Sequence, residues 1–192
     1  MLVLWMDSFT NVKHIIVTHE IGHWVLHLWG FCALGYQPKR HSNIEIFLNS
    51  MAHHVPLYAL QRSFGHEPQT EIDYRAGFNT KLFSKNKKIK KGHALSEDAL
   101  LLADDMLNCS KGCYTRLENI LSRHYPNTLK LAEEIVKLAS SYDLLVPEQN
   151  LEFSEKVGQH LGLSQGWIKI DDLNKLISMV RKAQQTKNHT QS

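Results

Sequence analysis

The amino-acid sequence predicts a mostly α-helical protein. A motif-bearing helix and a following glutamate-bearing helix precede a C-terminal helical bundle, with little or no sheet. Three observations carry this reading. Apolar residues recur at three- and four-residue spacing in one segment after another. Residues that suit helix caps stand at the starts of several of these segments. No convincing run of strand-like alternation is present.

The first helix is expected over residues 11–29, where Val12, Ile15, Ile16, His19, His23, Leu26 and His27 recur at helical intervals. Thr10 or Asn11 suits its N-cap, and Gly30 its stop. A loop over residues 35–41, containing Pro38, leads to a second helix. There Ser42 and Glu45 have the form of a capping box, and Ile46, Phe47, Met51 and Leu60 extend the helix to residue 62, disturbed near Pro56. Residues 63–80, with Gly65, Pro68 and Gly77, read as loop. Residues 84–92 hold five lysines and read as a solvated linker. Helices are then expected over 95–107 with Ser96 as cap, 114–122, 128–140, 154–161 and 170–182. In the last, Ile170, Leu173, Leu176, Ile177 and Val180 form one apolar stripe. The chain therefore divides into a metal-binding region (1–83), a lysine-rich linker (84–94), a helical region (95–182) packed on the first or forming a small second domain, and a polar tail (183–192).

Composition narrows the function classes. With 43% hydrophobic and 21% charged residues, the 192-residue chain has an ordinary globular balance. Its net charge of +3 is too small to argue for nucleic acid, which calls for a dense basic stripe. Three cysteines are too few for a disulfide scaffold and favour a reducing compartment. No segment approaches the roughly 18 to 20 apolar residues that span a bilayer. The start, from Met1 to Met6, is apolar but meets Asp7 at once and does not read as a signal peptide. A cytoplasmic protein is expected. The composition stands out in histidine, with 12 residues.

The chemistry is carried by His19-Glu20-Ile21-Gly22-His23, an H-E-x-x-H sequence. On a helix, positions i and i+4 share one face, so two imidazoles can converge on one zinc ion. The glutamate beside them can take a proton from an activated water. Three polar residues inside an apolar helix are costly to bury without such a partner, and Val17 and Trp24 flank them. His27, at i+8 from His19, lies about 12 Å along a straight helix axis, too far to share the ion, which suits it to packing. Leu26 and Trp29 stand where the metzincin continuation needs glycine and histidine, which excludes that class. His66-Glu67 opens a second such motif, but Thr70 occupies its fifth position.

A catalytic zinc site takes three protein ligands and keeps an open position. Glu45, 22 residues past His23, is the expected third ligand, although the capping box also accounts for it. His41, His53, His54, Glu71 and Asp73 remain as alternatives. Asn49 and His53 share the face of Glu45, and His53 or His54 can donate a hydrogen bond to the oxyanion formed in peptide hydrolysis. Cys109 and Cys113 are also four apart, but no set of closely spaced further ligands accompanies them, and they read as ordinary buried thiols.

The run from His19 to His27, followed by Glu45-x-x-x-Asn49-x-x-Ala52, resembles the zincin peptidases, and most of all the ImmA/IrrE type of intracellular metallopeptidase. The resemblance covers about residues 12–60. It implies zinc held by His19, His23 and Glu45, Glu20 as catalytic acid/base, and cleavage of repressor-type regulators. The expectation is thus a zinc metallopeptidase acting on a peptide or protein substrate, with the C-terminal helices open to a protein partner. The alternative is a non-catalytic zinc-binding regulatory module.

Overall fold

Proline cannot donate the i→i−4 hydrogen bond of a helix, yet Pro56 stands inside the longest helix among the described residues. The reason it is tolerated is visible in the structure, a computed structural model that describes residues 14–36, 42–85, 93–163 and 167–170. That helix, α2 (Ser42–Ser63), follows α1 (His14–Leu28) and a short strand, β1 (Ala33–Tyr36). After it come α3 (Gln69–Lys85), α4 (His93–Asn108), α5 (Lys111–His124), α6 (Pro126–Ala139) and α7 (Pro147–His160). A second strand, β2 (Trp167–Ile170), pairs antiparallel with β1, Ala33 opposite Ile170 and Tyr36 opposite Trp167. The fold is mostly α, as expected, with this two-stranded sheet beside it.

The proline leaves the Ala52 carbonyl, four residues earlier, without its helical donor. Asn150 of α7, 1% exposed, supplies one: its Nδ2 donates to the Ala52 carbonyl at 2.7 Å and to the Leu144 carbonyl at 3.0 Å. α2 thus runs on to Ser63 as the spine of the molecule, packed against α1, α4, α7 and β1. Ile44, Leu48, Met51 and Ala52 on α2 join Leu100, Leu102, Leu117, Ile135 and Phe153 in one hydrophobic cluster. This cluster draws on both the metal-binding region and the helices beyond residue 95.

α1 packs on α2 at Gly22, inside the H-E-x-x-H sequence. A Cβ there would collide with the Leu57 side chain, which is fully buried. The missing side chain is what lets the two helices approach. α1 then stops at Gly30, whose φ of 94° only glycine adopts easily. The Phe31 amide donates to the Leu26 carbonyl at 3.0 Å and the Gly30 amide to the His27 carbonyl at 3.1 Å, the double bond pattern of a Schellman cap. The Asn49 side chain takes both backbone groups of Leu34, at 2.9 and 2.8 Å, and fastens β1 to α2.

Several elements differ from the sequence expectation. Residues 69–85 form helix α3 rather than loop: Pro68 precedes its first turn, and Gly77 sits in its interior. Exposed Tyr74, Phe78 and Leu82 interrupt its apolar stripe, which is why the pattern was hidden. Ser96 is not a cap; it lies inside α4, buried. The cap of α5 is Ser110, which accepts from the Cys113 amide. α7 begins at Pro147, seven residues before the expected start. Ile170 ends β2 instead of opening a helix. The rest of the expected 170–182 helix, the apolar start at residues 1–6, most of the lysine-rich linker and the tail lie outside the described residues. Among the described residues, no helix is long and apolar enough to cross a membrane.

Candidate metal centre

One turn of helix separates His19 from His23 on α1, and the close α1–α2 approach brings His54 of α2 against both. The ring centroids lie 4.9 Å apart for His19–His23, 5.1 Å for His19–His54 and 5.7 Å for His23–His54. One ligating nitrogen from each ring falls within 4.8 Å of the other two. Among the described residues this is the one group of three metal-capable side chains so placed.

The electrostatics suit a metal. Burial first, and then the neighbouring imidazoles, hold His19 down to about 4 and His23 to about 3. Both rings are therefore neutral at physiological pH and carry the lone pairs a metal needs. His54 is oriented from behind. Its Nδ1 lies 2.7 Å from Asp104 Oδ2 on α4, a distance that requires Nδ1–H to donate to the carboxylate. The opposite nitrogen, Nε2, is the one left to face a metal. A carboxylate–histidine pair of this kind fixes the tautomer and raises the basicity of a metal-ligating imidazole.

Asp104 is 3% exposed and Asp105 is fully buried, so their charges need partners. Arg75 of α3 provides them, its Nη2 3.2 Å from Asp104 Oδ2 and its Nε 3.2 Å from Asp105 Oδ1. Asn108 also donates to Asp104, at 2.9 Å, and Asn79 to Asp105, at 2.8 Å. Burial opposes ionisation of Asp104, but His54 and Arg75 outweigh it and hold the carboxyl below its usual range. At Asp105 burial prevails over Arg75 and lifts the group to about 6. Arg75 Nη1 also donates to the Tyr58 hydroxyl at 2.9 Å, and the Tyr58 ring stacks on His54. A cavity of about 230 Å³ opens at this edge, lined by His19, His54, Tyr58, Gln61, Glu71 and Arg75 among others.

The residues singled out from sequence divide accordingly. His19 and His23 meet, and the third member beside them is His54, one of the alternatives to Glu45. Glu45 sits half-buried in the first turn of α2, nine residues and about 13 Å of helix rise before His54. It is not in the group. Glu20 is exposed on α1. His53 points elsewhere: its Nε2 donates to the Cys32 carbonyl at 3.2 Å, and its ring packs on His27 and Phe31. Its donor is committed to holding α2 on the α1–β1 turn rather than to an oxyanion. His27 has the packing role expected, donating from Nδ1 to the Phe31 carbonyl. Asp73 accepts from the Ser110 amide and hydroxyl, Glu71 lines the cavity, and His41 lies outside the described residues.

Sequence reasoning missed Tyr58, Arg75, Asp104 and Asp105. A signal was present: an acidic doublet inside the apolar run Ala99-Leu-Leu-Leu-Ala-Asp-Asp-Met-Leu107 predicts buried carboxylates, which require a cation and donors from elsewhere.

The buried imidazoles make the metal-free protein acid-sensitive. Near pH 6.5 the unfolded chain begins to protonate His19, His23 and His53, which the folded protein leaves neutral down to about 4, 3 and 4. Over that interval the unfolded state binds more protons, so stability falls as pH falls. Asp105 acts in the opposite sense between pH 6 and its ordinary 3.8, because the folded state protonates it first. Three groups outweigh one. The thermal midpoint of metal-free protein, followed by circular dichroism, should drop steadily from about pH 7 to about pH 4.5. A flat or rising midpoint would contradict a neutral buried histidine cluster.

Comparison of the chain with protein-family models, with curated proteins and with solved structures finds no match.

Proposed function

We propose that the protein is a zinc-dependent metallopeptidase of the intracellular zincin type, with His19, His23 and His54 as zinc ligands and Glu20 as general base. The observation that carries this reading is the convergence of three imidazoles, two of them from an H-E-x-x-H helix, beside an open cavity. The donor set fits the metal: three nitrogen ligands and one open position is the pattern of catalytic rather than structural zinc. Asp104 behind His54 supplies the supporting carboxylate that such ligands need.

Zinc in such a site supplies Lewis acidity, which polarises a carbonyl and brings the pKa of water toward neutrality. The chain's own residues do the rest. Glu20, adjacent to His19 and open to solvent, takes the proton of the attacking water and returns it to the amide nitrogen that leaves. The Ile72 and Pro68 side chains at the cavity wall limit water around the substrate.

Glu20→Gln tests the assignment. It should lower hydrolysis of a mixed peptide library by about 100-fold or more while zinc content stays unchanged. Zinc retained with undiminished hydrolysis would remove Glu20 from the mechanism. Zinc retained with no hydrolysis in the unaltered protein would favour the regulatory zinc module.

A further inference from the structure

Helix α3 carries apolar side chains on two sides. Ile72, Ala76, Asn79, Thr80 and Phe83 are buried on the side that packs on α4 and α5. Tyr74, Phe78 and Leu82, spaced four residues apart, are 73%, 53% and 46% exposed on the other. Three large apolar groups in one row make a ridge that is costly to leave in water. Gly77 borders this ridge at its middle. Among the described residues, a Cβ there would meet nothing within 4 Å, so packing against them gives no reason for a glycine that weakens a helix interior. Close approach of a helix from outside gives one.

The row is its own complement. Tyr74 and Leu82 stand four residues to either side of Phe78, and Glu71 and Lys85 stand three residues beyond those. The types run acid, apolar, apolar, apolar, base, with spacing symmetric about Phe78. Lay a second copy of α3 antiparallel on the first, with a two-fold axis at Phe78. Phe78 then meets its own counterpart, Tyr74 meets the partner's Leu82, and Glu71 meets the position of the partner's Lys85, each contact repeated by symmetry. A parallel copy would instead set Glu71 against Glu71. Arg75 does not disturb the pattern, because its charge is held by Asp104 and Asp105 inside the protein. The five positions span about 20 Å of helix, so a shallow crossing near 20° keeps both ends in register.

We infer that the Tyr74–Phe78–Leu82 face of α3 is a self-association surface, through which two copies of this chain pair antiparallel about Phe78. The apolar ridge supplies the attraction, and opposite charges at its ends fix the direction. A single helix pair buries less area than permanent dimers do, so the pairing is dissociable, with a Kd of about 10 to 100 μM. Glu71 also lines the cavity beside the three histidines, so pairing brings the partner's α3 to the rim of that cavity. The surface does not depend on the metal.

Sedimentation velocity of the full chain from about 1 to 500 μM tests the pairing, with a coefficient that should rise from that of one chain toward that of two. Phe78→Glu sets two carboxylates against each other on the axis and should weaken association about 10-fold or more. Because Phe78 is exposed, the thermal midpoint of the variant should stay close to that of wild type. Wild type that remains a single chain throughout overturns the inference, as does Phe78→Glu that associates as wild type does. Charge reversal reads the direction separately. Glu71→Lys and Lys85→Glu should each weaken the dimer about 3- to 10-fold, and the two together should restore it. A double variant that associates no better than the single ones overturns the antiparallel register.

Discussion

With His19, His23 and His54 as the proposed zinc ligands, His54→Ala should lower zinc affinity by about 100-fold or more, while Glu45→Ala should leave it intact. The expectation follows from where the two side chains stand. His54 contributes the nitrogen that closes the triangle with His19 and His23, and Glu45 lies more than two helical turns away along α2. Losing one of three ligands removes a direct bond and leaves two imidazoles on one helix. Asp104→Asn tests the support behind His54. Without a carboxylate on Nδ1 the imidazole loses its preferred tautomer and some basicity, and the affinity should fall about 10- to 100-fold, less than for loss of the ligand itself. Competition against a chromophoric chelator measures all three variants. Zinc affinity that survives His54→Ala and collapses in Glu45→Ala would return the third position to the glutamate.

The H-E-x-x-H pair was legible because its chemistry depends on spacing along one helix, which the sequence states directly. The third member depends on how two helices cross, and spacing says little about that. A buried Leu57 against Gly22 sets how closely α1 meets α2, and Asn49 ties α2 to β1. Together these packing contacts decide that the turn carrying His54, rather than the turn carrying Glu45, faces His19 and His23. His53 and His54 were adjacent candidates, and helical geometry turns them about 100° apart, one toward the cluster and one toward Cys32. The mostly α architecture was equally legible from helical periodicity. α3 was not, because its apolar residues serve both the core, at Ile72 and Ala76, and the surface, at Tyr74 and Phe78. Its missed helix is also what delivers Arg75, so an error in secondary structure concealed the cation of the buried network.

That network carries the second large effect. Arg75→Ala leaves Asp104 and Asp105 buried without their cation, and removing one partner of a buried ion pair costs several kcal/mol. Arg75 is itself 28% exposed, so part of the pairing is screened and the expected loss is about 3 kcal/mol. Asn79 and Asn108 continue to donate to the carboxylates and keep the loss from being larger. Urea unfolding of metal-free protein measures it. The deficit relative to wild type should also shrink on acidification, because without Arg75 the Asp105 carboxyl rises further above its ordinary value. The folded variant then gains by taking up that proton sooner. A loss under about 1 kcal/mol, independent of pH, would mean that the asparagines and His54 alone satisfy both carboxylates.

Counting metal in purified, untagged protein by elemental mass spectrometry tests the central claim most directly. A centre of three convergent imidazoles predicts close to one zinc per chain, retained through dialysis. Protein that carries no metal, and takes up none when zinc is supplied, would contradict the metal centre and leave His19, His23 and His54 as a packed histidine cluster at a helix crossing.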